Sequence, residues 1–126
     1  MKANDGQWPT ELRLTEAGRL LTVNFESGGA FDLPAEYLRV MSPSAEVQGH
    51  SPDERKTVGG KRNVAILGID PVGTYAVRLT FDDLHSTGIY SWDFLYDLGT
   101  HYADNWAAYI AELGQKGLDR DIPGEK

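Results

Sequence analysis

Cysteine is absent from the 126 residues of this chain. Disulfide bonds, thiolate-bound zinc, cysteine-bound iron–sulfur clusters and thiol nucleophiles are therefore excluded from its chemistry. A chain without cysteine suits a reducing compartment, and we expect a cytoplasmic protein.

Long apolar runs and an excess of basic residues are also missing. No stretch approaches the ~20 apolar residues that a membrane-spanning helix needs, and the start MKANDGQWPT has no hydrophobic signal core. Only 12 Lys and Arg stand against 19 Asp and Glu, which gives a net charge of −7. Nucleic acids and anionic membranes are bound through clustered Lys and Arg, so we expect neither as a partner.

The length is typical of one domain with a single apolar core. We predict a flexible N-terminal tail over residues 1–9 and one domain over residues 10–116. The last stretch, GQKGLDRDIPGEK, has few apolar residues, and residues 117–126 are predicted to form a flexible C-terminal tail.

Apolar residues alternate with polar ones from Thr10 to Pro34, with turn sequences EAG at 16–18 and SGG at 27–29. This spacing predicts three short antiparallel strands. A short helical turn is expected at 34–42, followed by a polar loop over 42–62. Strand patterns return in NVAILGID and in TYAVRLTFDD.

Two helices are predicted at the C-terminal end. Ser91 is a suitable N-cap for the stretch WDFLYDLG, and Gly99 a suitable C-terminal cap. A last helix from about His101 to Leu113 has an apolar stripe that would pack on the sheet. The predicted fold is a small α+β domain, mostly antiparallel sheet with C-terminal helices packed on it.

Two histidines are candidate metal ligands. His50 lies in QGHSP within the long loop, and His85 lies in DDLHSTG at a strand end. With Asp82, Asp83 or Glu46 they would make a nitrogen–oxygen site suited to zinc or ferrous iron. We select His50, His85 and Asp83 for this site. The alternative is that each histidine only hydrogen-bonds the backbone at a turn.

Catalytic signatures are weak. No serine lies in a GxSxG elbow, and no P-loop or GxGxxG fingerprint is present. His85 with Asp83 as base and orienting group is the least supported reading. We expect a protein that is not an enzyme.

Aromatic residues are dense between Tyr90 and Tyr109. Tyr and Trp favour protein–protein interfaces, although core packing is the alternative for most of them. Tyr96, next to Asp97, is the one that we expect to be exposed.

Several stretches are similar to the gamma-butyrobetaine hydroxylase-like N-terminal domain family. They are ELRLT, LPAEYLRVMSPSAEVQGH at 33–50, GKRNVAILGIDPVGTYAVRLTFDD at 60–83 and HSTGIYSWDFLYDL at 85–98. The resemblance covers roughly residues 10–99, most of the chain. We expect a stand-alone bacterial-type member of this family.

In the carnitine-biosynthesis dioxygenases this domain precedes a catalytic domain, for which 126 residues leave no room. There it carries a zinc site of three cysteines and one histidine. The resemblance places Ser42, Ser44 and Val47 at the cysteine positions and His85 at the histidine position. The family's zinc site is therefore not carried over intact.

Other family members are fused to ATP-binding scaffold proteins that handle iron–sulfur clusters. The resemblance therefore implies a non-catalytic accessory domain whose partner is another protein, such as an iron–sulfur or metalloenzyme maturation factor. No cofactor is assigned beyond the zinc or iron alternative, and a homo-oligomer is left open. The expected interaction surface comprises Leu38, Arg39, Ser42, Ser44, Tyr90, Trp92 and Tyr96.

Overall fold

A computed structural model describes residues 7–44, 47, 57–86 and 88–121. The strands are β1 (Pro9–Thr15), β2 (Leu20–Phe25), β3 (Ala30–Pro34), β4 (Ile66–Val72), β5 (Ala76–Phe81) and β6 (Ile89–Ser91). The helices are α1 (Ala35–Val40), α2 (Trp92–Thr100) and α3 (Tyr102–Gln115), with a 3-10 turn at Glu16–Gly18.

The first sheet has the antiparallel order β1-β2-β3, as the alternating pattern predicted. Leu21, Val23 and Phe25 of β2 are buried, because residues two apart in a strand face the same side. The turn before β2 packs closely on the second sheet. A Cβ on Gly18 would lie 2.5 Å from the Ile66 carbonyl oxygen, and its φ of +87° also favours glycine.

The second sheet has the antiparallel order β4-β5-β6. Val77, Leu79 and Phe81 of β5 are buried, while Arg78 between them is exposed. Ile66 also belongs to this buried set, and Leu67 lies at a register shift and is 65% exposed. One face of each sheet therefore contributes to a common core.

The helices complete this core. Leu95 and Leu98 of α2 join the same apolar cluster as the strands, and Tyr37 and Leu38 of α1 are fully buried within it. The Ser91 side chain accepts a hydrogen bond from the Phe94 N–H at 3.1 Å, so Ser91 caps α2 as predicted. The α+β fold class is confirmed, with the strands divided between two three-stranded sheets.

Two details of the C-terminal helices differ from the prediction. Gly99 lies inside α2, which ends at Thr100 with His101 as its C-cap. It is needed there because a Cβ would overlap the Phe31 ring. The apolar stripe of α3 is also narrower than expected, since Tyr109 and Leu113 are buried but Ile110 is 40% exposed.

Residues 118–121, which we assigned to the C-terminal tail, contact the segment before β4. Gly60 N–H donates to the Asp119 carbonyl and Arg62 N–H to the Arg120 carbonyl. The Arg120 guanidinium also binds both carboxylate oxygens of Glu36, at 2.7 and 2.8 Å.

Within the described part of the chain, no helix has the length and apolar character needed to cross a membrane.

Replacement of Gly99 by alanine tests the contact with Phe31. We expect Gly99→Ala to lower the free energy of unfolding by about 1–3 kcal/mol, because the added methyl group displaces a packed ring. Urea unfolding followed by circular dichroism measures the change. The matched control is Gly114→Ala in α3, where a Cβ meets nothing within 4 Å. This variant should instead gain up to about 1 kcal/mol, and equal effects of the two substitutions would contradict the packing explanation.

Candidate functional site

The turn that follows β5 exposes a leucine side chain to solvent. Leu84 N–H donates to the Phe81 carbonyl, and Phe81 N–H donates to the His85 carbonyl, both at 2.9 Å. This pattern is that of a three-residue turn whose last position is left-handed and favours glycine. Here that position is Leu84, with φ of 72° and 84% of its surface exposed.

Asp83 holds this turn to the rest of the domain. Its Oδ1 accepts the His85 backbone N–H at 3.1 Å. Its Oδ2 accepts from Arg39 Nε at 2.8 Å and from Lys61 Nζ at 2.5 Å. Burial opposes ionisation of this carboxyl, but the hydrogen bonds from Lys61, His85 and Arg39 outweigh burial and lower the Asp83 pKa to about 2. We call these four residues the Asp83 cluster.

Behind the turn lie three buried polar side chains, Ser42, His85 and Tyr90, which we call the polar corner. The Ser42 hydroxyl and His85 Nε2 are 2.9 Å apart, and the Ser44 backbone N–H donates to the same hydroxyl at 3.2 Å. The Tyr90 hydroxyl donates to the Leu38 carbonyl at 2.5 Å. Burial raises the Tyr90 pKa above its ordinary value, so this hydroxyl stays protonated at neutral pH.

A glycine is required where the chain passes close to the polar corner. A Cβ on Gly88 would lie 2.6 Å from the Ser42 hydroxyl oxygen and 3.1 Å from the Tyr90 ring. Since real Cβ atoms do not approach other atoms so closely, only glycine allows β6 to begin this near to Ser42. His85 is only 6% exposed, and Ser42 is fully buried. The burial of both groups indicates a structural role for their hydrogen bond in this conformation.

The structure brings together residues that the family resemblance had related. Ser42, Ser44 and Val47, at the positions of the family's cysteines, are all buried, as is His85. The Ser42–His85 hydrogen bond joins two segments 43 residues apart in sequence. A hydroxyl–imidazole hydrogen bond therefore links the two segments on which the resemblance places the family's zinc ligands.

The metal site of His50, His85 and Asp83 stays a prediction, because His50 lies outside the described residues. Among the residues that are described, no group of three or more His, Asp or Glu side chains could hold a metal ion. Both oxygens of Asp83 have protein donors. Asp83 reaches His85 through the backbone N–H, so the pairing needed for a general base is not observed.

The predicted interaction surface is partly interior. Leu38, Ser42, Ser44 and Tyr90 are buried and cannot meet a partner in this conformation. Leu38 and Tyr90 pack in the apolar core, and Ser42 and Ser44 take part in the hydrogen bonds around His85.

The other three predicted surface residues are half-buried. Arg39 is held by Asp83, and the Trp92 indole N–H donates to the Thr74 carbonyl at 2.8 Å. Tyr96, expected to be exposed, packs edge-on against Phe25 and Phe31 at ring-centre distances of 5.2 and 5.3 Å.

Sequence reasoning missed Leu84 and Lys61. The available signal for Leu84 was the sequence DDLH, in which a leucine occupies the turn position where glycine or asparagine is usual. No periodic pattern or motif in the sequence pointed to Lys61. Its role in binding Asp83 depends on a contact between residues 22 positions apart.

A cleft of about 430 Å³ lies beside the polar corner. Its walls come from the chain after α1, from α2 and from α3. The lining residues are Met41, Pro43, Phe94, Asn105, Ala108, Tyr109 and Glu112.

Fold and site together define a small α+β domain with a buried polar corner, a solvent-facing leucine turn and an adjacent cleft. The sequence model of the family described as "Gamma-butyrobetaine hydroxylase-like, N-terminal" matches residues 12–96. The chain belongs to this family. No functionally curated protein matches it at a significant level.

Solved structures agree with this assignment. One NMR solution structure is 45% identical over 96% of this chain and 94% of its own, with a TM-score of 0.80. A second is 42% identical over 100% of this chain and 97% of its own, also at 0.80. The third is a crystal structure of a protein of unknown function from Acidithiobacillus ferrooxidans, a member of the DUF971 family. It is 36% identical over 72% of this chain and 91% of its own, with a TM-score of 0.61.

The Asp83 cluster predicts acid sensitivity. The folded-state pKa of Asp83, about 2, lies below its ordinary value of 3.8. Its ionised form therefore stabilises the fold fully above about pH 5, and most of this contribution of about 2 kcal/mol is lost progressively as pH falls to 2. Urea unfolding between pH 5 and pH 2 measures the loss.

The variant Asp83→Asn should lose about 2–4 kcal/mol at neutral pH, because Arg39 and Lys61 are left without their counter-charge. Its stability should then change less than that of the unmodified protein between pH 4 and pH 2. Asp82→Asn is the control, since its side-chain oxygen can still accept the Ala65 N–H. Identical pH dependence of the unmodified protein and Asp83→Asn would contradict the assigned role.

Proposed function

We propose that this protein is a non-catalytic binding domain that contacts another protein through the turn at residues 82–85. Leu84 is the apolar anchor of that contact. The observation that carries the proposal is the placement of Leu84, which is 84% exposed and in a left-handed backbone conformation.

Two features of Leu84 raise the free energy of the folded chain. A left-handed conformation costs a residue with a Cβ about 1–2 kcal/mol. Leaving a leucine side chain in water forgoes a further ~1.5–3 kcal/mol that burial would provide. Glycine at this position would remove the first term, and a polar residue would remove the second. The presence of leucine is explained if the side chain is buried in a complex.

The other non-glycine residues with left-handed backbone in the described part of the chain do not raise the same question. Glu16 and Ala17 also have positive φ angles, but they form the hairpin turn between β1 and β2. Hairpin turns of the favoured types require positive φ at their central positions. Both of those side chains are exposed and neither is a large apolar group.

The turn is also held in place before any partner arrives. Asp82 exchanges two hydrogen bonds with Ala65, at 2.9 and 3.2 Å, and Asp83 is bound by Arg39 and Lys61. A rigid anchor loses little conformational entropy on binding, which favours affinity. This arrangement supports a contact element and has no evident catalytic use.

The partner is inferred from the family resemblance and from local charge. Family members fused to ATP-binding iron–sulfur scaffold proteins point to a maturation factor of that class. The exposed Asp82 beside Leu84 favours a partner pocket that is apolar with a cationic rim. The sites for iron or zinc would then lie on the partner.

Leu84→Asp tests the contact. Titration calorimetry with the iron–sulfur scaffold ATPase of the same organism should show binding to the unmodified protein. The variant should bind at least about 30-fold more weakly, because a buried anchor residue typically contributes 2 kcal/mol or more. Tyr75→Asp is the control. Tyr75 is 57% exposed at the opposite end of β5, so this variant should bind normally.

Equal binding of Leu84→Asp and the unmodified protein would reject the turn as the contact. Absence of binding by the unmodified protein would reject this class of partner. If sedimentation instead shows a dimer that Leu84→Asp dissociates, the turn contacts a second copy of the chain, and the hetero-partner proposal fails.

Leu84→Gly separates folding from binding. Because glycine adopts the left-handed conformation without strain, we expect thermal stability equal to or slightly above that of the unmodified protein. Binding in the same calorimetric titration should nevertheless be lost. A destabilisation of more than about 2 kcal/mol would show that the Leu84 side chain serves the fold, against the proposal.

A further inference from the structure

Residues 118–121, beyond α3, lie along the segment that precedes β4, and we call them the strap. Gly60 N–H donates to the Asp119 carbonyl at 2.9 Å. Arg62 N–H donates to the Arg120 carbonyl at 3.0 Å. The strap therefore fixes the backbone directly before and directly after position 61.

Arg120 attaches the strap to the helices. Its Nε and Nη2 donate to the two carboxylate oxygens of Glu36 in α1, at 2.8 and 2.7 Å, and Glu36 is buried. The guanidinium carbon lies 5.2 Å from the centre of the Trp106 ring of α3. Paired charge-assisted hydrogen bonds and a cation–π contact together hold the guanidinium in one geometry. Arg120 is therefore the residue that keeps the strap in place.

Lys61 connects the strap to the turn that carries Leu84. Its ammonium lies 2.5 Å from Asp83 Oδ2. Burial is the largest influence on the Asp83 pKa and raises it, and the hydrogen bond from Lys61 is the largest of those that lower it. A lysine side chain is long and flexible, so its ammonium stays on one acceptor only while its backbone is held nearby. The strap therefore determines how firmly Lys61 binds Asp83.

α1 offers a second route between the same two regions. Glu36, which binds the strap, and Arg39, which binds Asp83 at 2.8 Å, are three residues apart on this helix. Side chains at that spacing lie on the same side of a helix. The strap and the Leu84 turn thus share one support, and an experiment must separate this route from the one through Lys61.

We propose that the strap regulates the Leu84 contact. Arg120 is a positioning residue that, acting through Lys61, holds Asp83 and its turn in the conformation that a partner meets. This inference rests on the function proposed for Leu84. Displacement of the strap frees the Lys61 backbone, weakens the Lys61–Asp83 ion pair and lets the turn sample other conformations. The affinity for a partner then falls with the fraction of molecules in the binding conformation.

Two variants displace the strap by different means. Gly59→Ala places a methyl group 2.7 Å from the Asp119 carbonyl oxygen and changes no charge. Arg120→Gln removes the guanidinium from Glu36. In both we expect the Asp83 pKa to rise from about 2 toward its ordinary value of 3.8. Carboxyl-carbon NMR of the full chain between about pH 6 and pH 2 measures it.

The matched control for the glycine variant is Gly68→Ala in β4. A Cβ on Gly68 meets nothing within 4 Å, so the Asp83 pKa should stay at about 2. Because Arg120→Gln leaves Glu36 buried without its counter-charge, Gly59→Ala decides the result if Arg120→Gln does not fold.

Lys61→Met shows which route carries the effect. In this background the Asp83 pKa is already raised, and adding Gly59→Ala or Arg120→Gln should raise it no further. A field of the Arg120 charge acting directly on Asp83, or a route through α1, would persist in the double variants. Persistence of the full rise would overturn the role assigned to Lys61.

Titration calorimetry with the iron–sulfur scaffold ATPase measures the effect on the contact. Gly59→Ala should bind at least about threefold more weakly, since a turn in its binding conformation for about a third of the time loses that factor. Gly68→Ala should bind as the unmodified protein does.

An Asp83 pKa that stays at about 2 in Gly59→Ala and Arg120→Gln would overturn the inference, even where Leu84→Asp abolishes binding. Unchanged affinity of both strap variants would overturn it too. Absence of binding by the unmodified protein would reject the proposed function and the regulation with it. The Asp83 pKa values need no partner, so they distinguish that failure from a failure of the strap.

Discussion

The carboxylate of Asp83 joins three separate parts of the chain. It accepts from Arg39 in α1, from Lys61 before β4 and from the backbone of its own turn. Two cations on one anion are stable only while the anion is ionised and correctly placed, because loss of the carboxylate leaves partly buried positive charge. The turn after β5 is therefore coupled to α1 and not only to the adjacent strands.

That coupling sets the position of His85 and, through it, the polar corner. Once Asp83 fixes the turn, the imidazole faces Ser42, and Gly88 lets the chain return close to both. The resemblance places the zinc ligands of the dioxygenases on these same segments, where a bound metal would contribute folding free energy directly. Here, hydrogen bonds from Ser42, Ser44 and Tyr90 connect them, and Val47 fills an apolar position. Each such bond contributes only about 1 kcal/mol, so close packing around the corner carries much of the stability.

The two surface features differ in shape and in chemistry. The Leu84 turn projects an apolar side chain outward beside an exposed carboxylate, as an element that inserts into a partner. The cleft is concave, and apolar side chains make up most of its described lining. Both adjoin the polar corner, through His85 on one side and Pro43 on the other, which gives each a rigid support.

Much of the fold was determined by local sequence. Period-two alternation in β2 and β5 predicted strands with buried Leu21, Val23 and Leu79, and Ser91 was recognised as a helix cap. These features depend on residues within a few positions of each other, so the pattern is visible in the sequence. The family resemblance located His85 and the positions of Ser42 and Ser44.

Tertiary structure alone decided how those residues are used. Tyr90 and Ser42 are interior groups that hydrogen-bond Leu38 and His85, each more than 40 residues away in the sequence. Gly99 is required in α2 because Phe31 of β3 packs on it. Leu84 has a left-handed backbone conformation in a turn that Asp83 fixes. Asp83 does so by binding Arg39 and Lys61, which lie 44 and 22 residues away in the sequence. Contacts between residues so far apart leave no periodic signal in the sequence, since they exist only after the sheets and helices have packed.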